Sequence, residues 1–259
     1  MSQRFALVRH NLDPLDVEKL RRAFLGLPGL APYDADAVCN DGAGILCRGF
    51  ATDHATTLQA KLKAEGVDAE IIDETTLPAL PPPKIIRRVE IKPEALFVED
   101  LVRGMMPVEW ARVRLIAAGS IRLTQVTRKY VETEETHPRH IHVGHLSVQV
   151  TEGSSGYVSK EKVDWFLRAE ILLADSPVRY SIEAERFNFI PLGEGVTRDL
   201  SGNFCLLVRG LVTHAPKAIL NQGAAAIAAD PPEFMYYPRK SAYYDEITWH
   251  LWKAQSAAG

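Results

Sequence analysis

Gly44–Ile72 reads GILCRGFATDHATTLQAKLKAEGVDAEII. It holds a strand, a helix and a strand with clear punctuation. Gly44 to Phe50 alternates loosely, as a strand does. Thr52 is placed to cap a helix whose Ala55, Leu58 and Leu62 fall on one face. Gly66 stops that helix, and Val67, Ala69 and Ile71 share one face of the next strand. Burying each leucine is worth roughly 1.5–3 kcal/mol, so the helix docks on the strands.

Upstream, Phe5 to Val8 is a short apolar strand. Asp13 and Pro14 suit the start of a helix, Pro14 because its missing N–H costs nothing in the first turn. Val17, Leu20 and Phe24 mark that helix's inner face, and Gly26 and Pro28 end it. A second short helix is expected from Pro32 to Val38, closed by Asn40-Asp41-Gly42. Residues 1–76 therefore read as a small βααβαβ domain. The strip LPALPPP (Leu77–Pro83) favours polyproline II and reads as a semi-rigid linker.

Residues 84–259 read as a strand-rich α+β domain. Strands are expected over Ile85–Ile91, Ala95–Glu99, Val108–Ala117, Ile141–Val150, Trp165–Leu173 and Val178–Phe187. Helices are expected over His214–Ala229 and Tyr244–Lys253, and the Gly153–Gly156 segment reads as a hairpin loop.

The order strand, helix, helix, strand, helix, strand over residues 4–74 resembles the C-terminal domain of the bacterial ribosomal stalk protein. It is also similar to the adaptor fold of the Clp protease. The Clp likeness rests on RHNLDP (Arg9–Pro14), which follows the first strand. It implies a peptide-binding pocket in which Asn11 and Asp13 accept hydrogen bonds from an N-terminal ammonium. The same two residues equally suit a turn and a cap. The stalk's factor-binding helix surface is basic, whereas Asp34 and Asp36 occupy that region here, so factor recruitment does not carry over. The strand spacing of residues 84–259 loosely resembles a pleckstrin-homology-like barrel with C-terminal helices.

The 259 residues are 46% hydrophobic and 24% charged, ordinary for a globular protein with a real core. A net charge of −3 argues against a nucleic-acid partner, which requires an excess of Lys and Arg. Three cysteines, Cys39, Cys47 and Cys205, form no CxxC pair and point to a reducing cytoplasm. MSQRFALVRHNLDP lacks a signal-peptide apolar run, and no stretch suits a membrane span.

Three further constellations carry possible chemistry. His137, His140, His142 and His145 lie within nine residues. On a strand, His140 and His142 point the same way, ~6.6–7 Å apart along the chain, a zinc-chelating geometry. His145, His137 or His214 would supply a third ligand for zinc or a metal-dependent enzyme; the bland alternative is a polar strand face. Arg112, Arg114, Arg122, Arg128 and Lys129 form a basic run suited to an anionic surface or to plain solvation. Tyr236, Tyr237, Tyr243 and Tyr244 form an aromatic cluster with Phe234, read as a partner interface or as loop packing. No nucleophile elbow or phosphate loop is present, since GxSxG and GK[ST] are both missing. The expectation is a cytoplasmic binding or regulatory protein with an unidentified protein partner, able to pair with a second copy through a strand edge.

Overall fold

The computed structural model describes residues 3–41, 44–100, 102–143 and 146–257, with backbone alone over 124–162. The protein is α+β, as expected. No helix among the described residues is long and apolar enough to cross a membrane.

The first lobe runs β1 (Phe5–Val8), α1 (Val17–Phe24), α2 (Asp34–Asp41), β2 (Ile45–Phe50), α3 (Thr52–Ala64) and β3 (Glu70–Asp73). Its sheet is ordered β2-β1-β3 and is antiparallel, with Leu7 opposite Cys47 and Ile71. Period-two alternation explains why β1 is apolar throughout. Leu7 packs with Leu20, Phe24, Leu58 and Leu62 on the helix-covered face. Ala6 and Val8 point to the other face, where they meet Ile45, Leu77, Trp249 and Trp252.

Two helix starts differ from the sequence expectation. Asp16, not Asp13, caps α1: its Oδ1 accepts from the backbone N–H of Glu18 (2.9 Å) and Lys19 (3.4 Å). Asp13 is occupied elsewhere, as described below. Thr52 is the first residue of α3 rather than its cap; Ala51 holds the cap position and contributes no side-chain bond.

The proline strip is drawn into a sheet. Proline has no N–H but keeps its carbonyl, and the strip uses that carbonyl. Pro82 O accepts the Arg179 backbone N–H (3.1 Å), and Pro81 O accepts from the Arg179 guanidinium. β4 (Pro83–Ile85) then pairs in parallel with β10 (Arg179–Glu183), at the sheet's edge, where a strand proline is tolerated.

Beyond it, β5 (Val89–Ile91), β6 (Leu96–Asp100) and β7 (Gly104–Val108) form an antiparallel sheet. The largest sheet follows the path β11-β8-β9-β10-β4. Its long strands are β8 (Val113–Val143) and β9 (Leu146–Leu173). β11 (Ile219–Leu220) and β12 (Tyr236–Tyr237) both pair in parallel with β8. Among the described residues none of the three sheets closes into a barrel. Residues 123–164, drawn from β8 and β9, form a separate compact unit; Gly153–Gly156 lies inside β9 rather than in a turn.

α4 (Leu200–His214) was not expected from the sequence. Asp199 caps it, and Phe204, Leu207, Val208 and Leu211 fill the main core with Val89, Ile116, Ile171 and Ile182. The helix expected over 214–229 is the end of α4, a break, β11 and α5 (Gln222–Ala228). Pro216 cannot extend α4, and the Asn221 side chain caps α5 by accepting from Ala224 N–H (2.8 Å). The final helix, α6 (Lys240–Ser256), is longer than expected at both ends.

Candidate peptide-binding cleft

β1 ends in a polar loop because apolar pairing stops at Val8. Arg9 N–H donates to Gly44 O (2.6 Å), closing the last β1–β2 rung. Arg9 is only 6% exposed, and both terminal nitrogens of its guanidinium bond the following loop. Nη1 donates to the Asp13 carbonyl (2.8 Å) and Nη2 to Asn11 Oδ1 (2.8 Å). Asn11 Nδ2 in turn donates to Asp13 Oδ2 (2.6 Å). The loop is thus folded around one buried cation. Burial pulls the Arg9 pKa down from its ordinary value, and the Asp13 carboxylate pulls it back.

This loop forms one wall of a cleft of about 330 Å³. Asp16 and Lys19 at the start of α1 line it, as do Gly66, Val67 and Asp68 from the α3–β3 turn. Gly66 takes a positive φ of 75°, which reverses the chain after α3 and brings Asp68 to the far wall. Three carboxylates, Asp13, Asp16 and Asp68, therefore share a concave surface with the amide of Asn11. Each carboxylate can accept about four hydrogen bonds. Asn11 uses one on Asp13, and the helix cap uses Oδ1 of Asp16. The surface is suited to a compact cationic hydrogen-bond donor.

Asn11 and Asp13, singled out in the sequence, are brought together here. Arg9, Asp16, Lys19 and Asp68 were missed. The one available signal for Arg9 was an isolated cation set between an apolar strand and a polar turn.

The other sequence candidates fall apart in space. Tyr237 and Tyr243 are buried within the chain's own core, stacked edge to face at 5.1 Å, so neither offers surface to a partner. Both aromatic rings sit beneath the chain because α6 carries Tyr243 inward and β12 lays Tyr237 against β8. Tyr244 is half-buried, its hydroxyl donating to Glu170 (3.0 Å). Tyr236 is exposed, edge-on to Trp165 at 5.3 Å. His140 and His142 lie on β8 where only backbone is described, and His145 lies outside the described residues. Among the described residues, no three His, Cys, Asp or Glu side chains gather as a metal site. His214 stacks on Trp110 (5.2 Å) and its Nδ1 bonds Gly210 O (2.9 Å). Arg112, Arg114 and Arg122 are solvent-exposed. Burial pushes the Cys47 thiol up to about 12, and Cys39 and Cys205 are also raised. None of the three is therefore a ready thiolate nucleophile at neutral pH.

Comparison with protein families, curated proteins and solved structures finds no match to this chain.

Proposed function

We propose that the protein acts by binding another protein, and that the cleft of Asn11, Asp13, Asp16 and Asp68 receives the free amino end of a peptide. The observation that supports this reading is the loop clamped on Arg9, which holds an amide and a carboxylate in fixed positions on a concave wall. An N-terminal ammonium is small, carries three donors and a positive charge, and matches acceptors of that kind. The resemblance of residues 4–74 to the Clp adaptor layout supports the same reading. The role is regulatory or adaptor-like, in a reducing compartment that leaves three free cysteines intact.

The test is calorimetric titration with a pool of synthetic hexapeptides bearing free amino termini, beside the same pool N-acetylated. The free-amine pool binds, the acetylated pool does not, and Asp13→Asn weakens binding about tenfold or more, as for loss of a charge-assisted bond. Equal binding of both pools, or none of either, removes the proposal.

A further inference from the structure

Resting on the cleft reading, we infer that the C-terminal helix α6 sets the cleft's geometry, with Trp249 as the positioning residue that acts through Arg9.

The cleft loop has two anchors, and both meet at Arg9. The guanidinium anchors Asn11 and Asp13. The main chain is anchored by α6: Trp249 Nε1 donates to Arg9 O at 2.7 Å, in a buried position. The indole also lies directly on Gly44. A Cβ placed there would come within 2.1 Å of Trp249 Cδ1, so only glycine lets the ring reach this depth. Gly44 is the residue whose carbonyl accepts Arg9 N–H. Trp249 thus touches both halves of the rung from which the cleft loop departs. One helical turn along α6, Trp252 lies beside the His10 ring at 6.3 Å, again at the loop's root.

α6 is itself held on the first lobe by charge. Arg48 Nη2 and Nε bind Asp245 Oδ1 at 2.6 and 2.9 Å, and Arg239, just before the helix, binds Asp41. Other polar contacts of α6 run to the largest sheet and to α5. Tyr244 bonds Glu170 of β9, and Glu246 accepts from Tyr237 of β12 and from the Gln222 backbone of α5. A rigid helix therefore joins that sheet to the cleft. A shift of α6 that breaks the Trp249–Arg9 bond releases the main chain of Arg9, and with it the placement of Asn11 and Asp13.

Amide hydrogen exchange on the full chain tests this without needing a ligand. Trp249→Phe keeps an aromatic side chain on the helix face and removes the donor. Exchange at the Arg9 amide, which donates to Gly44 O, rises about fivefold, while α3 and α4 keep wild-type protection. Affinity for the free-amine hexapeptide pool falls by a similar factor. Unchanged exchange at the Arg9 amide, with α6 still protected, overturns the inference. If Trp249→Phe undocks α6 altogether, Gly44→Ala decides: its Cβ pushes the indole off Arg9 O and leaves Trp249 on the helix, so Arg9 exchange rises while α6 stays protected. Unchanged Arg9 exchange in Gly44→Ala overturns the inference equally. A wild-type protein that ignores the peptide pool removes the binding reading alone; the exchange result still settles the role of α6.

Discussion

Glu170 and Glu246 are both deeply buried, 0% and 2% exposed, yet the chain accommodates them by opposite means. Glu170 is surrounded by charge and redundancy. Arg179 Nε reaches Oε2 at 3.0 Å and Arg168 Nε reaches Oε1 at 3.1 Å. The hydroxyls of Ser181 and Tyr244 add two more donors, each at 3.0 Å. Glu246 sits in a chain of mostly neutral groups instead. Asn221 Nδ2 donates to the Tyr237 hydroxyl (2.8 Å), which donates to Glu246 Oε2 (2.6 Å), while Oε1 takes the Gln222 N–H (2.6 Å). His250 Nε2 stands 3.5 Å away. The first arrangement neutralises a buried charge and tolerates the loss of one donor. The second depends on every donor being oriented correctly. Both fasten α6, so the helix is held by one forgiving site and one exacting site.

The largest expected effect comes from Glu170→Gln. It leaves Arg168 and Arg179 with less counter-charge in a desolvated place, a loss of about 3–5 kcal/mol by urea unfolding. A loss under about 1 kcal/mol would show that the arginines find other acceptors, and the contrast would fail. Glu246→Gln should cost about 1–3 kcal/mol. Both Oε atoms are acceptors here, so whichever way the amide is turned its NH₂ faces another donor. A thermal melt of this variant matching wild type would mean that the neutral chain reorients freely. Tyr244→Phe is the mildest, about 0.5–1.5 kcal/mol, because Glu170 keeps the hydrogen bonds from Arg179 and Ser181 and the ion pair with Arg168. Should it cost as much as Glu246→Gln, redundancy would not be what distinguishes the two sites.

The first lobe was legible because its signals are local. Each helix carries a readable apolar face, and turn residues separate the elements. The exact cap was not readable, since Asp13 and Asp16 are chemically alike; Arg9 and Asn11 decide between them by occupying Asp13. α4 was not readable because its buried face includes Asn203 and Cys205, and because Gly202 and Gly210 interrupt its sequence with residues that disfavour helix. Asp199 was a usable start signal: it accepts from Ser201 and Gly202 N–H (3.1 and 2.9 Å). Pro83 in a strand was unreadable for another reason. Its partner, β10, lies about a hundred positions away, and nothing adjacent announces it. In the cleft, Asn11 and Asp13 stood out as short polar residues between strand and helix. Trp249 did not, since an aromatic on an apolar helix face looks the same whether it fills a core or holds a carbonyl.

The Trp249–Arg9 bond spans 240 positions. That distance has a consequence for synthesis. At ~5–20 residues per second, a ribosome takes roughly 12–48 s to travel from one to the other. For most of that interval Ala6, Val8 and Ile45 have been made, and the tryptophans that will cover them have not. One side of β1 is wet and adhesive while about two hundred further residues are being added, and α6 is the helix that dries it.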